Sequence, residues 1–500
     1  MNPSRAAAAV AVVSLCALAL AAAFPKVNAA WLSPVALTGL FAVWMRAKPR
    51  AAFWLAYLAG VIYFAVCFSW FGETAGAFLG PFAFIIAAGP AVLEAFAFGL
   101  AGLVTAYAVR HVAPALAPLC AAAAFVVFEW LRSSGPFGVP IGQLAPPFVS
   151  TPLAPLAAFI GGYGLAFLVV VTSAYAAAAL LDRSRERVRV REFVIVAGIA
   201  IVATIAANVV WPARAIAAPT IRVAAIQGNI KQTLKNEHSA QSLALAIHRY
   251  TSLTRTLAND HVQLILWPET VITTDLSTIE NRALSVQFGK LAASLHATLV
   301  VGAFSSDNVH SYNTMWTYGP TGLPIAIYRK RQLVPFGETL PGGSLLRGLP
   351  FTDLVPDFGE GTDRGITDPS GFAFAPLTCW ESDFGDLAID QAQHGAKFLA
   401  IPTDDAWFGE SAGPYQQAQL ASLRSIETGR WVLRAASTGV SGIIAPNGRY
   451  TQASLLDTQA VITGEIGGPQ PGPYVAIGPL PIGIALIVLA GVPFLIRWRT

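Results

Sequence analysis

Hydrophobic and polar positions divide this chain into two regimes. Apolar residues run almost unbroken through stretches at 6–23, 29–45, 51–70, 82–109, 114–131, 152–181, 193–211 and, near the end, 474–496. About 20 apolar residues cross a bilayer as a helix, so each stretch is expected to be a span, about eight in all. From Ile221 the pattern changes to short apolar runs separated by polar stretches of helical period. Residues 221–226, 262–267, 297–301, 398–402 and 432–436 read as strands, with helices over about 237–258 and up to about 294. Strands alternating with helices predict an α/β layered domain. Asn447-Gly448 between two strand-like runs predicts a hairpin. The expected organisation is a membrane domain at 1–211, an extramembrane α/β domain at 212–473, and a closing span with a short basic tail at 474–500.

Composition agrees with the pattern. Of 500 residues, 55% are hydrophobic and 12% charged, whereas soluble domains carry about 25% charged residues. The net charge of +4 is too small to argue for a nucleic-acid partner. The basic residues instead gather in alternate loops. Arg5 precedes the first span; Arg46, Lys48 and Arg50 follow the second; Arg110 and His111 follow the fourth. Arg183, Arg185, Arg187, Arg189 and Arg191 crowd the loop after the sixth, and Arg497 and Arg499 end the chain. The positive-inside rule makes these stretches cytoplasmic. Both termini are then cytoplasmic, and 212–473 faces the periplasm or exterior of a bacterial cell. The first span resembles a signal peptide, but Ala21-Ala22-Ala23 leads at once into another apolar run, which reads as an uncleaved span.

Candidate chemistry is confined to the α/β segment. Cys16, Cys67 and Cys120 lie inside apolar runs; Cys379 alone does not, and has no disulfide partner there. It follows the apolar stretch 371–375 in Pro376-Leu377-Thr378-Cys379-Trp380-Glu381, as a nucleophile is presented at the end of a strand. Glu269, in Leu266-Trp267-Pro268-Glu269-Thr270, and Lys330, in Tyr328-Arg329-Lys330-Arg331, occupy similar places. A thiolate is the working nucleophile. Glu269 can take the thiol proton, with burial expected to raise its pKa. Lys330 can hold a developing oxyanion, and Glu338 can orient Lys330 or the base. Each residue alone has a plainer reading, as a turn glutamate, a solvated lysine or a core cysteine. Metal-ligand spacing, phosphate loops and dinucleotide motifs are not evident, so neither metal nor cofactor is expected. Asp404-Asp405 without a histidine partner is weak evidence for a metal.

In this order the three residues resemble the Glu-Lys-Cys triad of the nitrilase superfamily, and the whole chain resembles its membrane-embedded branch, the apolipoprotein N-acyltransferase family. The matching segments include Gln227-Gly228-Asn229, Trp267-Pro268-Glu269-Thr270, Lys330 with 333–338, Cys379-Trp380-Glu381 and Asp405-Ala406-Trp407-Phe408-Gly409. Phe128-Glu129-Trp130-Leu131-Arg132 and Gly162-Tyr163-Gly164-Leu165 match in the membrane half. The chain departs from the family pattern at Asp404, Gln417, Ser437 and Asn236.

The resemblance implies an α-β-β-α sandwich outside a bacterial inner membrane. It implies transfer of an acyl chain from a phospholipid, phosphatidylethanolamine by expectation, through a Cys379 thioester. The acceptor is the α-amine of an S-diacylglyceryl cysteine at a lipoprotein N-terminus. Glu338, Trp380, Glu381, Trp407 and Phe408 are expected to support the site or contact substrate, and a monomer is expected. Phe336, Leu340, Leu345, Leu346, Trp407 and Phe408 either line a lipid entrance or fill the core. Glu129 and Arg132 either pair, hold a headgroup or anchor a span. Three other readings remain open: a lipid-facing amidase, esterase or acyltransferase with another acceptor, an inactive scaffold, and a transporter. Retention of all three triad residues disfavours a scaffold, and the scarcity of ionisable residues in the spans disfavours a transporter.

Overall fold

Each apolar stretch of the sequence carries a helix over most of its described length. The computed structural model describes residues 3–72, 74, 83–211, 216, 218–340, 343, 355–369 and 371–497. Leu345, Leu346 and Arg499 lie outside the described residues. The helices are α1 (Pro3–Ala21), α2 (Leu32–Arg46), α3 (Pro49–Cys67), α4 (Ala83–His111), α5 (Ala117–Arg132), α6 (Ala157–Leu181) and α7 (Glu186–Val210). These belong to a first unit (Met1–Pro212, Ser411–Gln419, Ile477–Thr500) distinct from a second (Ala213–Glu410, Leu420–Ala476). Among the described residues, Pro3–Ala21, Pro49–Cys67, Ala88–His111, Ala154–Leu181 and Glu186–Val210 are long and apolar enough to cross a membrane; Leu32–Arg46 and Leu480–Leu495 are shorter apolar helices.

The first unit packs as membrane helices do. With no water to expel between helices in lipid, close backbone approach through small residues supplies the contact. A Cβ on Gly102 would lie 2.5 Å from the Ala56 Cβ, and one on Gly60 would meet Ala95 at 2.9 Å. Trp44, Phe41, Phe125 and Phe98 form a buried aromatic cluster, with Phe98 and Phe125 edge to face at 5.1 Å. By contrast Val194, Ile199, Val202, Ile205 and Val209 along α7 are exposed. That exposed apolar face belongs to a helix long and apolar enough to cross a membrane.

The second unit is an α-β-β-α sandwich. One sheet has six strands in the order β11-β1-β2-β3-β4-β5 and the other five in the order β10-β9-β8-β7-β6. The strands are β1 (Ile221–Gln227), β2 (Leu264–Leu266), β3 (Thr298–Ser306), β4 (Ser311–Tyr318), β5 (Pro324–Arg329), β6 (Phe374–Pro376), β7 (Phe398–Thr403), β8 (Trp431–Ala436), β9 (Gly442–Ile444), β10 (Tyr450–Ala453) and β11 (Ala460–Ile466). β1, β2 and β3 pair in parallel, as do β6, β7 and β8.

Side chains of a strand alternate between faces, and both faces are buried here. Val223, Ala225, Leu264 and Leu266 enter the core between the sheets with Phe374, Phe398, Ala400 and Leu433. Ala224, Ile226, Ile265 and Trp267 pack outward on α9 (Ala240–Arg255) and α10 (Arg282–Ser294), through Ala246, Tyr250, Phe288 and Leu291. Ala375, Leu377, Leu399 and Ile401 pack outward on the other sheet, against α11 (Gly385–Gln393) and Ala421 of α12 (Gly413–Thr428). The expected hairpin forms: β9 and β10 are antiparallel, joined through Asn447 and Gly448, where φ is 82°. The strands β4 and β11 were not among those expected from the apolar pattern, and β5 was expected only as the strand end before Lys330.

Candidate active site

Three chain turns leave the two sheets and converge. β2 ends at Leu266, and Trp267-Pro268 carries the chain to Glu269. This turn lies so close to β3 that a Cβ on Gly302 would sit 2.2 Å from the Pro268 carbonyl oxygen, so a glycine is required there. Lys330 follows β5 directly, its amide donating to the Asn313 carbonyl at 2.9 Å and so extending the pairing with β4. β6 is an edge strand, which tolerates Pro376. Beyond it the chain enters a 3-10 turn, Cys379–Asp383, with Cys379 at φ 49°. A non-glycine residue in the left-handed region is uncommon and clusters at functional sites.

Glu269, Lys330 and Cys379 meet in the interior of the second unit, at 4%, 1% and 8% exposure. The Lys330 ammonium donates to Glu269 Oε1 at 2.9 Å and lies 2.9 Å from Glu338 Oε2. The Asn313 side-chain amide donates to Glu269 Oε1 and to Glu338 Oε1, both at 2.7 Å. Two carboxylates are thus bridged twice, by an ammonium and by an amide. The Cys379 thiol hydrogen-bonds to Glu269 and also engages Thr403. Thr403 Oγ1 donates to Asp405 Oδ1 at 2.7 Å, and the buried Arg434 grips both Asp405 oxygens at 3.1 and 2.9 Å.

The electrostatics differ from the sequence expectation at Glu269. Burial does push its pKa up, but the Lys330 charge and the hydrogen bonds from Lys330, Asn313 and Cys379 outweigh it, leaving Glu269 below the ordinary glutamate value. Burial alone would depress Lys330, and the Glu269 and Glu338 carboxylates reverse this, holding it well above an ordinary lysine. The Cys379 thiol is pushed well above its usual value by burial and by the Glu269 charge, with Lys330 opposing. The site at rest is therefore a carboxylate, an ammonium and a protonated thiol. Since thiolate is the reactive form, iodoacetamide is expected to alkylate Cys379 slowly at neutral pH, with a rate that climbs steeply as pH rises. Peptide mass mapping of the lipid-free protein checks this. Complete modification within minutes at pH 7 would contradict it.

The expected supporting residues fall into two groups. Glu338 and Glu381 engage the protein itself. Glu338 accepts from the Val334 amide at 2.9 Å as well as from Asn313. Glu381 is fully buried; its Oε1 accepts from Tyr328 Oη at 2.7 Å, the Arg331 amide at 2.6 Å and the Gln332 amide at 3.1 Å, and its Oε2 from the Thr378 amide at 2.6 Å. One carboxylate thereby ties the turn bearing Lys330 to the turn bearing Cys379. Of the aromatic residues, Trp380 and Phe408 are buried and Trp407 is half-buried. Trp380 stacks edge-on to Phe384 at 6.0 Å. Phe336 is 55% exposed, whereas Leu340 is buried. In the first unit Glu129 accepts from the Leu144 amide, and Arg132 pairs with Glu94 at 3.4 Å and donates to the Val139 carbonyl at 2.8 Å.

The sequence reading missed Asn313 and Lys235. Asn313 carries a visible signal, a polar amide inside a run of strand-forming residues. Lys235 carries none, because its partner Asp404 is 169 residues away. Among the described residues, three or more His, Cys, Asp or Glu side chains are nowhere grouped so as to hold a metal ion.

Comparison with known proteins places both halves. Residues 222–468 match the carbon-nitrogen hydrolase family, and residues 16–175 match the apolipoprotein N-acyltransferase N-terminal domain. The apolipoprotein N-acyltransferase of Azotobacter vinelandii is 31% identical over 95% of this chain and 94% of its own length. That of Methylococcus capsulatus is 31% identical over 88% of this chain and 87% of its own. That of Pseudomonas putida is 32% identical over 76% of this chain and 75% of its own.

Proposed function

Because the chain belongs to the apolipoprotein N-acyltransferase family, we propose that Glu269, Lys330 and Cys379 carry its acyl transfer in two covalent steps. The enzyme is a bacterial membrane acyltransferase with a lipid donor and a lipoprotein acceptor. The observation that carries the mechanistic reading is the buried thiol hydrogen-bonded to a carboxylate that a buried ammonium keeps ionised.

In the first step Cys379 sulfur attacks the ester carbonyl of a phospholipid while its proton passes to Glu269. The resting equilibrium favours the thiol, so the proton moves only as negative charge develops on the carbonyl oxygen beside Lys330. Stabilisation of that kind acts in the transition state and not on the resting enzyme. The ester C–O bond then breaks, the proton returns from Glu269 to the leaving oxygen, and a lysophospholipid departs from a Cys379 thioester. In the second step the neutral α-amine of the S-diacylglyceryl cysteine attacks the thioester. Glu269 takes a proton from nitrogen, the C–S bond breaks, and that proton returns to sulfur. Both steps use one base and one oxyanion site. Glu338 holds Lys330, and Glu381 holds the two turns in register. Phe336 and Trp407, the more exposed of the candidate lipid contacts among the described residues, are assigned to the donor path.

The architecture follows the chemistry. Moving an acyl chain into water costs about 0.8 kcal/mol per methylene, so the reaction is run at the bilayer. We assign eight spans, a membrane domain at 1–211, the catalytic domain at 212–473 on the periplasmic side of the inner membrane, and a closing span at 474–500. The arginine-rich loops support cytoplasmic termini. Phosphatidylethanolamine is the proposed donor and a monomer the proposed form.

The test is intact-mass measurement of the detergent-purified protein after incubation with phosphatidylethanolamine, beside Cys379→Ala. The expected result is a gain of one acyl chain, labile to hydroxylamine, only in the parent, discharged by a diacylated lipopeptide. Folded protein that gains no acyl mass, or gains it equally without the thiol, would refute this reading.

A further inference from the structure

Lys235 sits in a five-residue helix, α8 (Gln232–Asn236), whose other residues are exposed or half-buried. Its own side chain is 5% exposed, and its ammonium donates to Asp404 Oδ2 at 2.7 Å. Ser437 Oγ lies 3.5 Å from the same ammonium. Asp404, 3% exposed, follows β7, and its Oδ2 also lies 3.5 Å from the hydroxyl of Thr270. Its main-chain amide donates to Glu269 Oε2 at 3.1 Å.

The division of contacts on Glu269 is informative. Lys330 and Asn313 both occupy Oε1. The Asp404 amide is the main-chain donor on Oε2, so it sets where the second oxygen points. We propose that the buried Lys235–Asp404 pair is a positioning pair for the base: it locks the Asp404 amide onto Glu269 and neutralises the negative charge that Asp404 alone would place beside it. This rests on the reading of Glu269 as the base. A buried pair is seldom required for stability, since neutral residues of similar volume often replace it without loss. Its place directly against the base, through the Asp404 amide, points to another role. The charged and titratable groups around Glu269 are Lys330, Glu338, Cys379 and Asp404, with Lys235 behind Asp404 and the Asp405–Arg434 pair behind Cys379.

The experiment is the pH dependence of Cys379 acylation, measured by intact mass with phosphatidylethanolamine in detergent. It compares the full-length parent, Lys235→Met, Asp404→Asn and the double variant. The acid limb reports ionisation of Glu269. Lys235→Met leaves an uncompensated carboxylate near the base, which favours its protonated form and moves the limb to higher pH. Asp404→Asn leaves an uncompensated cation and moves it to lower pH. Each shift is expected to be about one pH unit, and the double variant returns the limb to the parent position. Opposite shifts that cancel support the proposal, and Asp404→Asn, which is isosteric, is decisive where Lys235→Met does not fold. A limb that stays put in Asp404→Asn, single variants that lower the rate with no shift, a double variant that does not return to the parent limb, or an Asp404→Asn protein that does not fold would each overturn it. A parent that forms no adduct overturns both this proposal and the triad reading, whereas an adduct with an unmoved limb overturns this one alone.

Discussion

Lys330→Met is expected to lose acyl transfer by about a thousandfold or more and to melt at a markedly lower temperature. Methionine keeps the length and apolar stem of lysine but removes the charge that both Glu269 and Glu338 share at 2.9 Å. Removing one partner of a buried ion pair costs about 3–5 kcal/mol, because the remaining charge is left in a poor medium. Here two carboxylates remain, joined only through Asn313. Catalysis suffers separately, since loss of one group that stabilises an oxyanion costs about 10²–10³ in rate, and a Glu269 without its cation becomes a protonated, idle base. The pH dependence carries the sign. In the parent the Glu269 pKa is depressed, so its contribution to stability is present above the ordinary glutamate value and disappears as pH falls through the depressed one. In Lys330→Met that acid-side loss disappears, and the melting temperature rises on acidification as Glu269 takes up a proton. Thermal melts at pH 5 and 8, with intact-mass detection of the adduct, check both arms. A variant that keeps the parent's melting temperature and adduct would contradict the role assigned to Lys330. Lys330→Arg is not expected to rescue it, because a planar guanidinium fork does not fit a site built around a point charge.

Glu381→Ala is expected to be the more damaging to the fold. Alanine orphans the buried Thr378 amide and Tyr328 hydroxyl, together with the half-buried amides of Arg331 and Gln332. A buried donor left without an acceptor costs about 1–3 kcal/mol, so the two buried donors alone cost about 2–6 kcal/mol, to which the half-buried pair adds, against a typical total stability of about 5–15 kcal/mol. Little folded protein is expected. Glu381→Gln separates the packing from the hydrogen bonding: its amide oxygen replaces one carboxylate oxygen and its NH2 group opposes the remaining donor. The expected outcome is a folded protein with a lowered melting temperature and slow adduct formation. Parent-like yield and melting temperature for Glu381→Ala would show that the tie is dispensable.

Much of the candidate site was legible in the sequence because strand ends are legible. Glu269, Lys330 and Cys379 each close a short run that reads as a strand end. The nearby departures were legible as differences, yet their consequence was not. Asp404 reads only as one of two adjacent carboxylates until folding brings Lys235 against it, and nothing in the sequence singles out Lys235. The strand β4 escaped because the buried Asn313, Thr314 and Thr317 interrupt its apolar pattern. Its buried polar positions are also where the two carboxylates find a shared donor. The direction of the Glu269 pKa was misjudged for a related reason. Burial can be inferred from a strand end, but the distance to a cation supplied 61 residues later cannot.

The tie made by Glu381 also has an evolutionary meaning. It closes the chain between Gln332 and Thr378 into a ring fastened at its neck, with both active-site turns on the near side. Apart from Glu338, which holds Lys330, and β6, which leads to Cys379, residues within the ring can be lengthened, shortened or exchanged while Lys330 stays in place relative to Cys379, so selection can act on them with little passage through the chemistry. Diversity among relatives in what they admit is expected to accumulate inside the ring, and invariance at its clasp.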